Sequence, residues 1–314
     1  MFFEDSGRPG LTMTRFKLLA MDVDGTLVGP DGVVGPEIRS AVVAARAAGL
    51  AVCLATGRSY RECRSVWEQL RLQGPHEPMV TVGGAIVCQS DTGRTLYQRG
   101  IPRDAAKRFG AAMNDRGHVA MALVDGWRHD VDYLVTEGGD HRAAGRDWFS
   151  KMDVRVREVA SLADAPLGGP GPAEMAVLRI SAVVEAAEAR RMAAELSGEF
   201  AGQLNIHAIL APNYGVTIVE AHAVGADKMT ALRYVAQPMG AGAGLIAAVG
   251  DDVNDMPMVS GAGLGAAMGS APESLKAAAD VIVGDGGGNG RQGLADFIRR
   301  LAAGEYDHLA KMGA

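Results

Sequence analysis

Two aspartates, Asp22 and Asp24, stand two positions apart in the segment Asp22-Val23-Asp24-Gly25-Thr26, which follows an apolar run beginning at Phe16. Such a run predicts a strand buried on both faces, and open α/β sheets bind ligands at the carboxyl ends of their strands. Alternate residues of a strand point to the same side, so both carboxylates are expected to reach one site. Because close carboxylates repel unless a proton or metal lies between them, the pair favours a divalent cation with oxygen ligands.

Two other structures, a capped turn and an EF-hand loop, also contain closely spaced aspartates. Asp24-Gly25 is also ordinary turn chemistry, so a capped turn stays open when the segment is taken alone. A calcium-binding EF-hand loop is excluded, because its twelfth position, counted from Asp22, is Val33 rather than Glu.

A second acidic segment, Gly250-Asp251-Asp252-Val253-Asn254-Asp255, follows the apolar run 245–249. It brings three more carboxylates to the end of a predicted strand. Asp252 fits the first turn of a helix, where capping and the helix dipole favour aspartate. Asp251 and Asp255 are instead expected to join the site of the first segment.

Two further features could bind an anion. Thr56-Gly57-Arg58 stands between a predicted strand and a predicted helix, where a hydroxyl, a glycine amide and a helix N-terminus together suit phosphate. A simple helix cap at Thr56 explains the same residues equally well. Lys228, in Gly225-Ala226-Asp227-Lys228, would by itself be a surface lysine, and it gains meaning only beside the other segments.

The elements that must position these residues alternate between strand and helix at both ends of the chain. Expected strands are 16–23, 50–55, 79–82, 244–249, 263–268 and 280–283, with helices at 36–48, 58–72, 228–235, 254–260 and 294–303. The middle changes character, with expected strands at 119–124, 130–135, 173–180 and 204–209, helices at 105–116 and 184–196, and a loop at 165–172.

This rhythm predicts an α/β fold: a doubly wound, Rossmann-like parallel-sheet core with an inserted α+β module. The core is assigned to 1–100 and 222–314, with 1–13 as a loose tail, and the inserted module to 101–221. Met13 lies just before the first periodic segment and offers an alternative start to Met1.

Composition narrows the classes of partner. The chain has 314 residues, 48% of them hydrophobic, and a formal net charge of −6, so no basic field is expected to attract nucleic acid or a membrane surface. No apolar run approaches the roughly 20 residues of a membrane helix, and 1–10 lacks the apolar region of a secretory signal. Three cysteines without a Cys-x-x-Cys pair suit reduced thiols, which predicts a cytoplasmic protein.

Taken together and in this order, Asp-x-Asp-Gly-Thr, Thr-Gly-Arg, the lysine and Gly-Asp-Asp-x-Asn-Asp resemble the haloacid dehalogenase superfamily of phosphatases. The insertion between the second and third motifs, and the stretch 83–87, resemble its Cof-like, type IIB branch. This resemblance implies that the inserted module, 101–221, is an α+β cap domain of the C2 type. Two positions depart from that branch: Gly83 stands where Asn is usual, and Met229 stands where Gly usually follows the lysine.

The resemblance implies roles for the acidic residues. Asp22 would be the nucleophile, and Asp24 would protonate the leaving alcohol and then activate water. Mg²⁺ would be held by Asp22, the backbone carbonyl of Asp24, and Asp251. Asp255 would orient a ligand water or Lys228.

The phosphoryl oxygens would be held by Thr56, the Gly57 amide, Lys228 and Asn254. The implied activity is Mg²⁺-dependent hydrolysis of a small phosphorylated metabolite, a sugar phosphate or related phosphoacid, through an aspartyl-phosphate. Two alternatives stay open: a phosphomutase of the same superfamily, and a non-enzymatic, receiver-like binding module that is phosphorylated on aspartate. The oligomeric state is left open.

Overall fold

The computed structural model describes residues 14–72, 77–137, 149, 154–168, 174–211, 215–284 and 290–310. Its strands are β1 Leu18–Met21, β2 Ala51–Leu54, β3 Pro78–Thr81, β4 Ile86–Gln89, β5 Thr95–Gln98, β6 Met121–Val124, β7 Tyr133–Thr136, β8 Val156–Val159, β9 Val177–Val183, β10 Leu204–Ala211, β11 Val216–Ala223, β12 Ile246–Gly250, β13 Leu264–Met268 and β14 Val281–Val283. Its α-helices are α1 Pro36–Ala47, α2 Tyr60–Leu70, α3 Arg103–Asp115, α4 Gly126–His129, α5 Ala186–Glu199, α6 Lys228–Ala236, α7 Met256–Gly261, α8 Glu273–Ala278 and α9 Gly290–Ala302.

These elements divide into two compact units. One comprises the described parts of Met1–Ala55, Val66–Glu77 and Leu232–Ala314, and the other comprises the described parts of Thr56–Ser65 and Pro78–Ala231. The predicted domain limits at 100/101 and 221/222 stay a prediction.

A five-stranded parallel sheet forms the centre of the first unit, in the order β14-β13-β12-β1-β2. All four residues of β1 are buried, as its unbroken apolar sequence predicts. Helix α1 begins at Pro36, which suits a first helical turn, and it buries one face through Ile38, Ala41, Val42 and Ala45. The parallel arrangement places the chain segments that follow β1 and β12 at the same edge of the sheet.

A six-stranded mixed sheet forms the centre of the second unit, in the order β10-β11-β9-β6-β7-β8. All its pairs are antiparallel except β7 with β8. Helices α3 and α5 pack on it, and the ring of Phe109 meets that of Phe200 edge to face, with centroids 5.4 Å apart. The parallel core sheet and the separate, largely antiparallel sheet confirm the predicted fold class.

The strand at Pro78–Thr81 differs from its predicted role as a third parallel core strand. It pairs antiparallel with β4 in a three-stranded sheet β3-β4-β5. The short turn Val82–Gly84 reverses the chain directly after β3, which accounts for the antiparallel pairing of β3 with β4. Strands β4, β5, β8 and β11 and the two short helices α4 and α8 were not among the predicted elements.

Cys53, Cys63 and Cys88 are buried and free. Burial raises the pKa of the Cys88 thiol to about 12, so it stays protonated at neutral pH and is no nucleophile. Among the described residues, no helix combines the length and apolar character that would let it cross a membrane.

Candidate active site

Three carboxylates meet where β1 and β12 end. Asp22, Asp251 and Asp255 each offer an oxygen within 4.8 Å of the others. The adjacent parallel strands bring them together, and the backbone amide of Asp22 donates to the carbonyl of Val249 at 2.9 Å. Asp22 is 5% exposed and Asp255 is fully buried, so two of the three carboxylates are withdrawn from solvent. A group of close carboxylates of this kind suits a hard divalent cation.

The loop after β12 is shaped by Asp255. Its Oδ2 accepts hydrogen bonds from the backbone amides of Asp251 at 2.9 Å and Asp252 at 3.1 Å. Asp252 in turn accepts from the amide of Val253 and completes a capping box on the 3₁₀ turn 253–255. The prediction that Asp252 is a helix-start residue is therefore confirmed, although the turn it caps is a 3₁₀ turn.

The turn after β1 approaches Asp251 closely. Gly25 adopts φ +78°, which favours glycine, and a Cβ there would displace the carboxylate of Asp251. The hydroxyl of Thr26 donates to Oδ1 of Asp251 at 2.9 Å. From the sequence alone, Thr26 is expected only to shape the turn. The Asp-Gly-Thr spacing indicates that the hydroxyl lies near the site, but it does not identify Asp251 as its hydrogen-bond partner.

Strand alternation does not set the positions of Asp22 and Asp24. Strand β1 ends at Met21, and Asp24 lies in the turn beyond it, where it forms an isolated bridge with Val28. The side chain of Asp24 is half-buried and the cluster of carboxylates comprises the other three aspartates. The turn after β1, rather than a longer strand, therefore positions Asp24.

In the second unit, Thr56-Gly57-Arg58 forms a turn ahead of helix α2. The amide of Arg58 donates to the Thr56 hydroxyl oxygen at 3.1 Å, which leaves the hydroxyl proton able to reach another acceptor. The helix begins only at Tyr60, and Glu62 caps it by accepting from the amide and hydroxyl of Ser59. Helix α2 thus begins two residues after the predicted start at residue 58, and the roles of Thr56 and Gly57 in anion binding stay a prediction.

The turn 82–84 contacts both segments that are predicted to bind an anion, the Thr56-Gly57-Arg58 turn and the start of α6 at Lys228. Its three residues have successive φ values of +53°, +64° and +100°. The amide of Gly83 donates to the carbonyl of Thr56 at 2.9 Å, and the amide of Val82 donates to the carbonyl of Arg58 at 2.9 Å. Left-handed backbone at a β-branched residue such as Val82 is strained, and such strain is concentrated at functional sites.

Gly84 sets how closely the start of α6 packs against this turn. A Cβ at Gly84 would overlap the carbonyl of Asp227 and lie 2.8 Å from the amide nitrogen of Lys228. Asp227 caps the helix by accepting from the amide and hydroxyl of Thr230 at 2.8 and 2.7 Å. Lys228 is 1% exposed and is therefore not a surface lysine.

The predicted site residues thus fall into two described groups. Asp22, Asp251 and Asp255 form one, supported by Thr26, and the turn 82–84 links Thr56 and Gly57 to Lys228 in the other. Asn254 is exposed on the 3₁₀ turn of the first unit. A separate cavity of about 400 Å³ in the second unit is lined by other residues, including Tyr60, Arg61, Asp125, Trp127 and Arg155.

Comparison with known sequences finds similarity over most of the chain. The sequence model of the haloacid dehalogenase-like hydrolases matches residues 19–298. The 5-amino-6-(5-phospho-D-ribitylamino)uracil phosphatase YcsE of Bacillus subtilis is 25% identical over 286 residues, 90% of this chain and 94% of that protein. The HMP-PP phosphatase of Serratia proteamaculans is 36% identical over 92 residues, which span 29% of this chain and only 32% of that relative.

Solved structures share the fold. A haloacid dehalogenase-like hydrolase from Bacteroides thetaiotaomicron superposes with a TM-score of 0.70 at 22% identity, over 91% of this chain and 99% of that one. The subclass IIB sugar phosphatase BT4131 superposes with a TM-score of 0.66 at 21% identity, over 85% and 93%. With the sequence match over residues 19–298, these findings show that the chain belongs to the haloacid dehalogenase-like hydrolases.

Proposed function

We propose that the protein is a Mg²⁺-dependent phosphatase that hydrolyses a small phosphorylated metabolite, a sugar phosphate or a related phosphoacid, through an aspartyl-phosphate on Asp22. The observation that carries the proposal is the cluster of Asp22, Asp251 and Asp255 at the carboxyl ends of β1 and β12, where open α/β sheets bind ligands. Family membership and the phosphatase names of two relatives support it.

The donor set fits the proposed cation. Three carboxylates with oxygens within 4.8 Å of one another, two of them buried, repel each other unless positive charge lies between them. Asp22 and Asp251 would hold Mg²⁺ together with the backbone carbonyl of Asp24, while Asp255 holds the loop and orients a ligand water or Lys228. Bound Mg²⁺ supplies charge neutralisation for the phosphoryl oxygens.

The reaction uses the two aspartates of the first motif in turn. A carboxylate oxygen of Asp22 forms a bond to phosphorus while the bond between phosphorus and the ester oxygen breaks, and Asp24 gives its proton to the departing alcohol. Asp24, now ionised, accepts a proton from water as that water attacks phosphorus. The bond between Asp22 and phosphorus breaks, which regenerates the carboxylate and releases inorganic phosphate.

The anion-binding groups would orient the phosphoryl group for both steps. The Thr56 hydroxyl can donate because its oxygen already accepts from Arg58, and the proposed partners beside it are the Gly57 amide and Lys228. Asn254 is the fourth proposed contact. Phosphoryl transfer depends chiefly on such positioning and on charge neutralisation, so these groups are expected to affect turnover strongly.

A cytoplasmic location is part of the same proposal. Its support is the set of three buried, free cysteines, which suits a reducing compartment.

The decisive experiment compares wild-type protein with Asp22→Asn on a generic aryl phosphate and on a panel of phosphorylated metabolites, with Mg²⁺ added and released phosphate measured. Wild type should turn over and Asp22→Asn should not, while circular dichroism shows both folded. Near-normal activity in Asp22→Asn would refute the assignment of Asp22 as the nucleophile. Interconversion of sugar phosphates without release of phosphate would identify a phosphomutase, and a long-lived phosphorylated protein without turnover would identify a receiver-like module.

A further inference from the structure

A buried arginine reaches the backbone of the Thr56-Gly57-Arg58 turn. Arg179 lies in β9 and is 6% exposed. One terminal nitrogen of its guanidinium donates to the carbonyl oxygen of Gly57 at 3.1 Å, and the other donates to the hydroxyl of Tyr133 at 3.0 Å. All these residues belong to the second compact unit. The contact spans 122 positions of sequence, so it is a feature of the tertiary structure alone.

Arg179 is itself held by a buried acid on the neighbouring strand. Oε2 of Glu220, in β11, lies 3.5 Å from the guanidinium nitrogen that reaches Gly57. Oε1 of Glu220 lies 2.9 Å from Nε2 of His222, and the three residues are each at most 8% exposed. The ring of His222 in turn lies against Gly83, where an added Cβ would be 3.5 Å from its Cε1.

The charges of this group support one another. Burial by itself would raise the pKa of Glu220, but His222 and Arg179 lower it to about 2, so the carboxylate is ionised at neutral pH. Burial would lower the pKa of Arg179, whereas Tyr133 and Glu220 raise it, so the guanidinium stays charged. A charged donor makes a stronger hydrogen bond to a carbonyl than a neutral one does.

The contact completes the fixation of the turn. The Thr56–Gly57 peptide, which carries the Gly57 amide, is held by the amide of Gly83 at the Thr56 carbonyl. The next peptide is held at both ends: Arg179 binds its Gly57 carbonyl, and its Arg58 amide donates to the Thr56 hydroxyl oxygen. Without Arg179 the second peptide would be held only through its Arg58 amide, whose acceptor is the Thr56 hydroxyl itself, so the orientation of that hydroxyl would be less well fixed.

We infer that Arg179 is a positioning residue. It holds the carbonyl of Gly57 and thereby orients the Thr56 hydroxyl and the Gly57 amide towards the phosphoryl group. The inference rests on the proposed function, because it assigns an anion to that turn. Arg179 acts through the turn and needs no contact with the substrate. Its loss should therefore affect every phosphate ester alike, whatever the alcohol.

The fork of arginine suits this task better than a lysine ammonium would. Two terminal nitrogens reach two acceptors on different elements at fixed angles, which a single ammonium on a flexible stem cannot reproduce. A buried ion pair is also poor evidence of added stability, since apolar residues of similar volume often replace such pairs without loss. Replacing both Arg179 and Glu220 by apolar residues should therefore test the positioning role without a large loss of stability.

The experiment compares wild type with Arg179→Lys, Arg179→Met and the double variant Arg179→Met/Glu220→Met. Steady-state constants are measured on an aryl phosphate and on one alkyl phosphate, and the dissociation constant of inorganic phosphate is measured by calorimetry with Mg²⁺ present. Arg179→Met should lower kcat/KM by about 10- to 100-fold on both esters, the size expected for a misplaced contact group, and weaken phosphate binding. Arg179→Lys should fall between Arg179→Met and wild type.

The double variant separates stability from positioning. Removing both charges should restore the melting temperature towards wild type. It should not restore phosphate affinity or turnover, because nothing then holds the Gly57 carbonyl. Ser181→Ala is the matched control: Ser181 lies two residues further along β9, is fully buried, and its hydroxyl finds no hydrogen-bond partner among the described residues. That variant should keep wild-type constants.

Two outcomes would overturn the inference. One is a folded Arg179→Met that binds inorganic phosphate and turns over as wild type does. The other is a double variant that regains activity together with stability, which would make the role structural. Failure of the proposed function is distinct, since wild type itself would then release no phosphate from any ester.

Discussion

The hydroxyl of Thr26 donates a 2.9 Å hydrogen bond to Oδ1 of Asp251, across 225 positions of sequence. It joins the turn after β1 to the loop after β12 and orients one of the three clustered carboxylates. Groups that orient a metal ligand commonly alter metal affinity by 10- to 100-fold when removed. Thr26 is therefore expected to act on the cation without touching it.

The first prediction concerns this hydrogen bond. Thr26→Val keeps the shape of the side chain and removes the donor, so Asp251 should lose its fixed orientation. We expect Mg²⁺ to bind about 10- to 100-fold more weakly, measured by calorimetry and by the Mg²⁺ dependence of turnover. Thr14→Val is the control, because Thr14 makes a similar bond to Asp307 at 2.8 Å outside the cluster. Equal Mg²⁺ affinity in both variants would contradict the role of Thr26.

The second prediction separates two roles of Asp255. Asp255→Ala removes the acceptor of two backbone amides, so the free energy of unfolding should fall by about 1–3 kcal/mol in urea titrations. Asp255→Asn keeps an acceptor oxygen and loses the charge, so stability should fall less while Mg²⁺ affinity still falls. Mg²⁺ binding that is unchanged in Asp255→Asn would remove this carboxylate from the cation site.

The third prediction tests the close approach of Gly84 to the start of α6. In Gly84→Ala the new Cβ would overlap the carbonyl of Asp227, so the helix start and Lys228 must shift. We expect turnover to fall about 100-fold, as a displacement of about 1 Å can produce. Gly117→Ala is the control, since Gly117 has φ +80° but no atom near its added Cβ among the described residues. Gly117→Ala should lose some stability and keep its activity. Equal activity in Gly84→Ala and Gly117→Ala would show that the close packing of Gly84 against Asp227 does not position Lys228.

The fourth prediction is a pH dependence of stability. The pKa of Glu220 is lowered from 4.5 to about 2 in the folded protein, so the ionised carboxylate stabilises the fold above pH 4.5. That contribution should disappear as the pH falls from about 4.5 to about 2, with a slope of up to about 1.4 kcal/mol per pH unit.

Urea titrations across this range should show a shallower slope for Glu220→Gln than for wild type. The difference should persist in about 1 M salt, because buried pairs are screened far less than exposed ones. Identical slopes for the two proteins would contradict the assignment of a lowered pKa to Glu220.

Much of the fold could be predicted because local patterns are strong where strands are buried on both faces. The apolar runs at β1, β2, β12 and β13 stand out without any tertiary information. Strands β8 and β11 were missed for a physical reason. Three of the four residues of β8 are exposed, and β11 carries the polar residues Thr217, Glu220 and His222 at irregular spacing, so neither gives a clear alternation.

The site was predictable in its residue types and less so in its geometry. Asp22, Asp251 and Asp255 were expected together because parallel strands end at one sheet edge, and the structure groups them. The backbone around Gly57 was harder to predict, because helix α2 starts at Tyr60 rather than at residue 58 and Glu62 accepts from the amide of Ser59. Backbone turns of a few residues are set by hydrogen bonds that propensity does not reveal.

By itself, the sequence determined the family, the α/β class and the acidic residues that gather at the sheet edge, because motif order and apolar periodicity are local properties. Only the tertiary structure decided which distant groups orient those residues. Thr26 on Asp251, Gly84 against Asp227 and Arg179 on Gly57 each depend on strand register and turn geometry. A shift of one residue in β9 would turn Arg179 to the opposite face of its sheet. The other contacts join turns that are distant in sequence, so no local pattern encodes them.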